Sequence, residues 1–215
     1  AREYIITDHG FRAANPEWDD CRLRIDKLND EHDGTMYITQ GFIASSTSPK
    51  TTTTLGREGS DFTAAIFANC LNAKELTIWK DVDGLRNADP KRFNDTKKIE
   101  HLSYFEAIEL AFYGASIIHP NTLKPLQNKE IPLKVRSFLN TELKPSVIDG
   151  TKDYIEYVPS FIVKEKQTLM SITPRDYSFM NEHNRALIFN IMDELNIHAN
   201  MTQISALVLS ICFDE

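Results

Sequence analysis

A short segment at residues 51–65, TTTTLGREGSDFTAA, combines residue types that could bind an anion. Gly56 and Gly59 would let the backbone approach a ligand closely. A helix starting after them would point free N–H groups and the positive end of its dipole at that ligand, beside the Ser60 hydroxyl. Arg57 has the side chain best shaped for a two-point contact with a carboxylate or phosphate. On these residues alone, a capped helix start with a surface arginine is the more common explanation.

A second candidate for chemistry is WKDVDGLRNADPKR at residues 79–92. Lys80 and Asp81 come at the end of a predicted strand, and Lys91 and Arg92 follow a turn. Ligands of open α/β sheets bind beyond the carboxyl ends of the strands, so this segment is well placed to contact a nucleotide. A solvated turn explains the same charges when the segment is taken by itself.

The elements that must position these two segments alternate in type. Residues 35–44 predict a strand, residues 60–73 a helix with Ser60 or Asp61 as its N-cap, and residues 75–82 another strand. A further helix is predicted at about 103–113, because Ser103 and Glu106 have capping-box spacing and Gly114 follows its end. This alternation indicates an α/β domain.

The chain changes character after residue 150. A polar stretch with two prolines predicts an inter-domain linker at 151–160, so the first domain would cover 1–150. Residues 161–215 predict the order β-α-β-β, which is three-quarters of a ferredoxin-like unit. The sequence therefore indicates two domains of different design.

Composition limits the classes of function. The formal net charge of −7 argues against a surface for nucleic acid or anionic membranes. Three widely spaced cysteines in apolar segments are expected to be buried reduced thiols, and no targeting segment is recognisable, so a cytoplasmic location is expected. Cys, His and carboxylate spacing predicts no metal site, and His119, beside Pro120, is expected to have a structural role.

Four segments together resemble a known family. YITQGFIASS…TTTTLGREGSDFTAA, IWKDVDGLRNADPK, LSYFEAIELAFYGASIIHPNTLKPL and IPLKVRSF resemble, in order, motifs in the kinase domain of aspartate kinases, across about residues 1–145. The tail at 161–215 resembles the first ACT domain of those enzymes. The resemblance implies an α/β fold in which part of an amino-acid kinase (carbamate kinase-like) sandwich precedes a partial ferredoxin-like ACT domain.

The implied reaction is transfer of the γ-phosphoryl group of ATP to the β-carboxylate of L-aspartate, the first step towards lysine, threonine and methionine. An aspartate side chain with a pKa near ~4 is already ionised at neutral pH, so catalysis needs charge neutralisation and positioning more than a strong base. The resemblance assigns substrate contacts to Phe42, Thr54, Arg57 and Ser60 and the organisation of charge to Asp61. For ATP, which would carry Mg²⁺ on its phosphates, the resemblance implies contacts with Lys80, Asp81, Arg86, Lys91, Ser116 and Ile117.

The sequence departs from the family pattern at several positions. Relatives usually have glycine where this chain has Ala44 and Glu58, and a phosphate-facing lysine where it has Ser116. Lys80 is a candidate to compensate for that missing charge. The K-F-G-G-T-S and S-x-G-E motifs of the family are absent, so we expect a fragment of a longer enzyme with little kinase activity alone.

For the ACT region the resemblance implies a regulatory role and a homodimer or larger homo-oligomer. Its effector contacts would be Asn181, Asn184, Arg185, His198, Ala199 and Asn200. Lysine-sensitive relatives have an acidic residue at the position of Asn200, so lysine, threonine or no effector all remain open. One alternative is a non-catalytic ACT fragment for regulation or dimerisation. Another is a different amino-acid kinase such as glutamate kinase, but the series of motifs followed by an ACT-like tail argues against it.

Overall fold

The computed structural model describes residues 1–31, 36–115, 118–151 and 158–215. The chain forms two compact units, Ala1–Ile162 and Val163–Glu215. The first unit contains, in order, β1 (Ile6–Thr7), α1 (Trp18–Glu31), β2 (Ile43–Ser46), β3 (Thr52–Thr54), α2 (Gly59–Cys70), β4 (Leu76–Lys80), β5 (Leu85–Arg86), β6 (Lys98–Ile99), β7 (His101–Ser103), α3 (Tyr104–Phe112), α4 (Pro120–Gln127), β8 (Leu133–Ser137) and β9 (Ser146–Asp149). The second contains β10 (Gln167–Ile172), α5 (Glu182–Glu194), β11 (Ala199–Ile204) and β12 (Leu209–Asp214).

A small sheet near the N-terminus supports the glycine-containing segment. Its order is β1-β2-β3, with β1 parallel to β2 and β2 antiparallel to β3. Apolar side chains from these strands pack with α1 and α2 in one core, formed by Ile5, Ile6, Cys21, Ile25, Ala44, Leu55, Phe62, Ile66 and Cys70. Because β3 leads within a few residues into α2, this core fixes both sides of the intervening loop.

A four-stranded sheet in the order β4-β8-β9-β7 forms the second half of the first unit. β4 is parallel to β8, β8 is antiparallel to β9, and β7 is parallel to β9. In β8, Leu133, Val135 and Ser137 are buried and alternate with more exposed residues, as expected when one face of a sheet is covered. The helices α2, α3 and α4 contribute Ala65, Ala68, Tyr104, Ala107, Leu123 and Leu126 to the same core as this sheet.

The predicted helix at 103–113 is confirmed as α3. The Ser103 hydroxyl accepts the Glu106 amide proton at 3.2 Å, and the Glu106 carboxylate accepts the Ser103 amide proton at 2.9 Å. Gly114 follows with a φ of 112°, a conformation that glycine adopts without steric cost. His119 has the expected structural role, since its Nδ1 accepts the Asn121 amide proton at 3.2 Å at the start of α4.

Two sequence predictions around the glycine-containing segment were wrong in detail. Within the described part of the strand predicted at 35–44, regular pairing begins only at Ile43, and residues 36–40 are exposed and irregular. β-Prone residue types alone do not make a strand, because strand formation depends on packing and burial as well. The helix predicted at 60–73 spans Gly59–Cys70, and its N-cap is Glu58 rather than Ser60 or Asp61. Glu58 adopts a left-handed conformation and makes no side-chain cap. The Gly59 amide donates to the Gly56 carbonyl and closes the turn before the helix.

The second unit has the predicted β-α-β-β order. Its sheet has the order β10-β12-β11, all antiparallel, with a bulge between Ala199 and Met201. Met180 and Met192 pack on Leu209 and Ile211 to form a small core. Three strands and one helix therefore build a separate layer of helix on sheet.

The cysteines are reduced, but their burial is not uniform. Cys21 and Cys70 are buried, and desolvation raises the pKa of Cys21 to about 11. Cys212 is only half-buried, which corrects the expectation of three buried thiols, because β12 turns this side chain away from the face that carries Leu209 and Ile211.

Among the residues that the structure describes, no helix has both the length and the apolar character needed to span a bilayer.

Candidate functional site

An ion pair joins the two segments that the sequence singled out. The Lys80 ammonium at the end of β4 lies 3.1 Å from the Asp61 carboxylate in the first turn of α2. The two side chains are 23% and 18% exposed, so they are partly shielded from water. A charged pair at the carboxyl end of a strand and the N-terminus of a helix is positioned as an α/β ligand site would be.

The loop between β3 and α2 needs its glycines for close packing. Gly56 has a φ of 77°, and a Cβ there would lie 3.2 Å from the Ala13 side chain. A Cβ on Gly59 would lie 2.7 Å from the ring of Phe42, which real side chains do not tolerate. Arg57 follows Gly56 and Ser60 follows Gly59, and both are exposed, so they can reach a ligand.

Phe42 lies beside the start of α2, although 17 residues of sequence separate it from Gly59. Phe42 is 44% exposed, and its backbone has a φ of 74°. A Cβ on the preceding Gly41 would lie 2.9 Å from the Ser60 Cβ. The chain around Phe42 therefore packs directly against Ser60 at the start of α2.

Thr54 is held by a neighbouring loop. Its amide donates to the Phe11 carbonyl at 2.7 Å, and its hydroxyl donates to the Arg12 carbonyl at 3.0 Å. Its own carbonyl accepts the Ala14 amide proton at 3.0 Å. Because these groups already bind the 8–15 loop, Thr54 anchors the strand that leads to Arg57.

Asp8 closes that loop, a role that sequence analysis missed. One carboxylate oxygen accepts the amide protons of Gly10 and Asn15 at 2.9 and 3.0 Å. The other accepts the Asn15 side chain at 2.9 Å. The Asn15 side chain, followed by these backbone bonds, lowers the pKa of Asp8. An Asp two residues before a Gly is a local signal for such a turn, and it could have identified this loop.

The residues predicted to bind ATP divide into several groups. Lys80 is paired with Asp61, whereas Asp81 and Lys91 are exposed. Arg86 is engaged within its own hairpin: its guanidinium contacts Asp83 at 2.8 and 3.1 Å and donates to the Thr96 hydroxyl at 2.8 Å. These hydrogen bonds from Arg86 lower the pKa of Asp83.

Ser116 and Ile117, also predicted to bind ATP, lie outside the described residues.

Glu58 is the unusual residue of the loop. Its φ of 53° lies in the left-handed region, which costs a non-glycine residue about 1 kcal/mol or more. Its Oε2 is buried and has no hydrogen-bond partner among the described residues. A residue without a side chain would fit this backbone better, because glycine adopts a positive φ without steric cost.

The residues predicted as effector contacts lie in the second unit. Asn181 caps α5 by accepting the Asn184 amide proton at 2.9 Å. Arg185 forms an ion pair with Glu182 one turn away. His198 is exposed and Ala199 is half-buried at the start of β11.

Asn200 belongs to a polar network that spans the three strands of the second unit. Its amide nitrogen donates to Gln167 and Asp214 at 2.6 and 3.0 Å, and its oxygen accepts from Lys164 at 2.8 Å. Lys164 above all, then Gln167 and Asn200, lowers the pKa of Asp214 to about 2. Both polar groups of the Asn200 side chain are thus used within the protein.

Comparison with known proteins places this geometry in a family context. Residues 3–137 match the sequence pattern of the amino acid kinase family. The chain is 31% identical to aspartokinase 1 of Arabidopsis thaliana over 188 residues, which is 85% of this chain and 32% of that protein.

Two crystal structures of Escherichia coli aspartokinase III, each 29% identical to this chain, share its fold. The structure with aspartate and ADP aligns with 100% of this chain and 48% of its own, with a TM-score of 0.83. The structure with lysine and aspartate aligns with 99% and 48%, with a TM-score of 0.77.

The chain therefore spans about a third to a half of the length of these relatives. The family match covers the residues that form the ion pair, the glycine-containing loop and the strands β1 to β8. The chain belongs to the amino acid kinase family, and the relatives that it resembles within that family are aspartokinases.

Proposed function

We propose that the site around Asp61 and Lys80 takes part in the ATP-dependent phosphorylation of L-aspartate on its β-carboxylate, within a longer aspartate kinase. The observation that carries this proposal is the 3.1 Å ion pair, because it joins the predicted substrate loop to the predicted nucleotide strand. The similarity to aspartokinases, one of which was solved with aspartate and ADP, supports the choice of substrates.

In the proposed reaction, an oxygen of the substrate's β-carboxylate attacks the γ-phosphorus of ATP. The new O–P bond forms as the bond to the β–γ bridging oxygen breaks, and ADP leaves with that electron pair. The carboxylate is already ionised, so no proton has to be removed first. The protein contributes positioning and cationic charge where negative charge is concentrated.

Each side chain of the first unit has a part in this proposal. Arg57 holds the substrate's α-carboxylate, and Ser60 and Phe42 line the pocket beside it. Thr54 shapes the pocket through the loop it anchors. Asp61 orients the Lys80 ammonium, which neutralises charge on the transferring phosphoryl group.

For the nucleotide, the exposed Asp81 and Lys91 are the proposed contacts beside Lys80. Arg86 acts indirectly, by holding the hairpin through Asp83 and Thr96. Mg²⁺ would arrive on the ATP phosphates, since it is usually bound by substrate phosphates and one or two carboxylates while keeping several waters. Across the described ranges, no three His, Cys, Asp or Glu side chains come together as a metal-binding group.

For the rest of the chain we propose that residues 1–150 are part of the kinase domain, 151–160 a linker and 161–215 part of an ACT domain in a cytoplasmic homo-oligomer. The lysine in one E. coli structure supports an amino-acid effector. Asn200 lacks a carboxylate for a lysine ammonium and already binds Lys164, which favours a different effector or none.

The test uses the full gene product that contains this chain, with aspartyl phosphate trapped as its hydroxamate. We expect product from L-aspartate and little from L-glutamate, and Arg57→Ala should raise KM for aspartate at least tenfold. Arg22→Ala, which removes the same charge from the exposed face of α1, should leave KM unchanged. Equal turnover of both amino acids, or no effect of Arg57→Ala, would contradict the proposal.

A further inference from the structure

Thr63 is a buried side chain that connects α2 to the backbone of Phe42. It is 3% exposed. Its hydroxyl donates to the Gly59 carbonyl at 2.8 Å and accepts the Phe42 amide proton at 2.9 Å. A hydroxyl can donate and accept at the same time, so both bonds coexist. Thr63 therefore ties the first turn of α2 to the residue that precedes β2.

The Phe42 backbone needs such support. A φ of 74° is costly for a residue with a side chain, and it persists only where the surroundings impose it. Phe42 is held from both sides, because its carbonyl also accepts the Leu55 amide proton at 3.0 Å. Strained backbone of this kind is concentrated at ligand sites in proteins.

This conformation places the Phe42 ring against Gly59. The ring lies so close that a Cβ on Gly59 would be 2.7 Å from its Cδ2. Phe42 is nevertheless 44% exposed, and the exposed Ser60 follows Gly59 at the N-terminus of α2. The ring can thus form one wall of a small pocket at that helix end.

We propose that Thr63 is a positioning residue that holds Phe42 in its left-handed conformation, and that the ring so placed packs on the methylene group of the amino-acid substrate. This inference rests on the proposed function. Thr63 touches no substrate itself. Loss of its hydroxyl removes the acceptor of the Phe42 amide proton, so the backbone can relax and the ring can leave the pocket. The substrate affected is aspartate, because the nucleotide contacts lie at the end of β4.

Two substitutions separate the hydroxyl from the shape of the side chain. Thr63→Val keeps the shape and removes the hydroxyl, whereas Thr63→Ser keeps the hydroxyl. In the full gene product, Thr63→Val should raise KM for aspartate roughly 3- to 10-fold, the range expected for one lost hydrogen bond, with KM for ATP within about twofold. Thr63→Ser should restore the KM for aspartate.

A structural readout accompanies the kinetics. In the 215-residue chain, Thr63→Val should speed hydrogen exchange of the Phe42 amide at least tenfold, measured by NMR. Thr122→Val provides the control, because Thr122 is also buried but lies in α4, whereas the Phe42 amide donates to the Thr63 hydroxyl. It should leave both the exchange rate and the KM for aspartate unchanged.

The results for the Thr63 variants and for the wild-type enzyme decide between the positioning role and its alternatives. A Phe42 exchange rate or an aspartate KM that is unchanged in folded Thr63→Val would overturn the positioning role. If Thr63→Val does not fold, Thr63→Ala takes its place, and the same two results decide. A wild-type enzyme that does not use aspartate would instead overturn the proposed function, while the exchange of the Phe42 amide would still show whether Thr63 holds that backbone.

Discussion

At the scale of single residues, the site combines exposed groups that can contact ligands with groups already bound inside the protein. Arg57 and Ser60 are exposed, whereas Lys80 and Asp61 bind each other at 3.1 Å. Arg86 is bound to Asp83 in its own hairpin. Residue type alone could not distinguish these cases, because an arginine that binds phosphate and one that braces a turn have the same side chain.

The Lys80 side chain provides a first prediction at this scale. In the full gene product, Lys80→Ala should weaken ATP binding about tenfold and lower kcat by about 100-fold or more, because in the proposed reaction it removes the cation that neutralises the phosphoryl group. Isothermal titration with an ATP analogue and the hydroxamate assay measure the two effects. Lys80→Arg, which keeps the charge, should recover part of both. Unchanged ATP affinity in Lys80→Ala would show that Lys80 only braces Asp61.

The strained Glu58 backbone provides a second prediction at the scale of single residues. Glu58→Gly should raise the free energy of unfolding by about 1 kcal/mol, because glycine adopts a φ of 53° without strain. Urea unfolding followed by tryptophan fluorescence reports on the first unit, where both tryptophans, Trp18 and Trp79, lie.

Glu58→Ala separates backbone strain from the buried carboxylate oxygen. It removes the carboxylate but keeps a side chain at the same φ, so it should stabilise less than Glu58→Gly. An equal gain in both variants would mean that the buried oxygen, rather than the backbone, is the source of the cost.

At the scale of elements, the glycine-containing loop between β3 and α2 is positioned by its neighbours as well as by its own sequence. The 8–15 loop pairs with β3 through Thr54 and through a bridge between Ala13 and Leu55. Thr63 of α2 fixes the residue before β2. Two separate elements therefore hold the short segment that presents Arg57.

The hydrogen bonds by which the Asp8 carboxylate closes the 8–15 loop can be tested at this scale. Asp8→Ala should lower the unfolding free energy of the first unit by about 1 kcal/mol, because three hydrogen bonds to a largely solvated carboxylate are lost. Asp176→Ala is the matched control, since Asp176 accepts a turn amide from Ser178 in the second unit. It should leave the tryptophan-detected transition unchanged. If both variants shifted the tryptophan-detected unfolding transition equally, the Asp8 hydrogen bonds would have no specific role in stabilising the first unit.

At the scale of the whole molecule, the chain consists of two units with separate cores. The second unit has a smaller core and carries the network of Lys164, Gln167, Asn200 and Asp214 on its sheet. Its response to acid can therefore be followed independently of the first unit.

The Asp214 carboxylate gives the prediction at this scale. Its pKa is lowered to about 2 in the folded state from 3.8, so its network stabilises the second unit fully above about pH 4 and is lost as the pH falls towards 2. NMR titration of the Asp214 side-chain carbon should show this low pKa. Lys164→Met should raise it towards the ordinary value, because Lys164 is the largest cause of the shift. An unchanged titration in Lys164→Met would show that the network does not depend on that ammonium.

The sequence by itself determined the features that depend on near neighbours. The capping box of α3 and the β-α-β-β order of the second unit followed from short-range spacing, because each requires residues only a few positions apart. Only the tertiary structure decided which charges meet. Asp61 reaches Lys80 across 19 positions, and Thr54 is bound to a loop more than 40 positions earlier. Such contacts are set by how elements pack, and packing depends on the whole core, which no local pattern records.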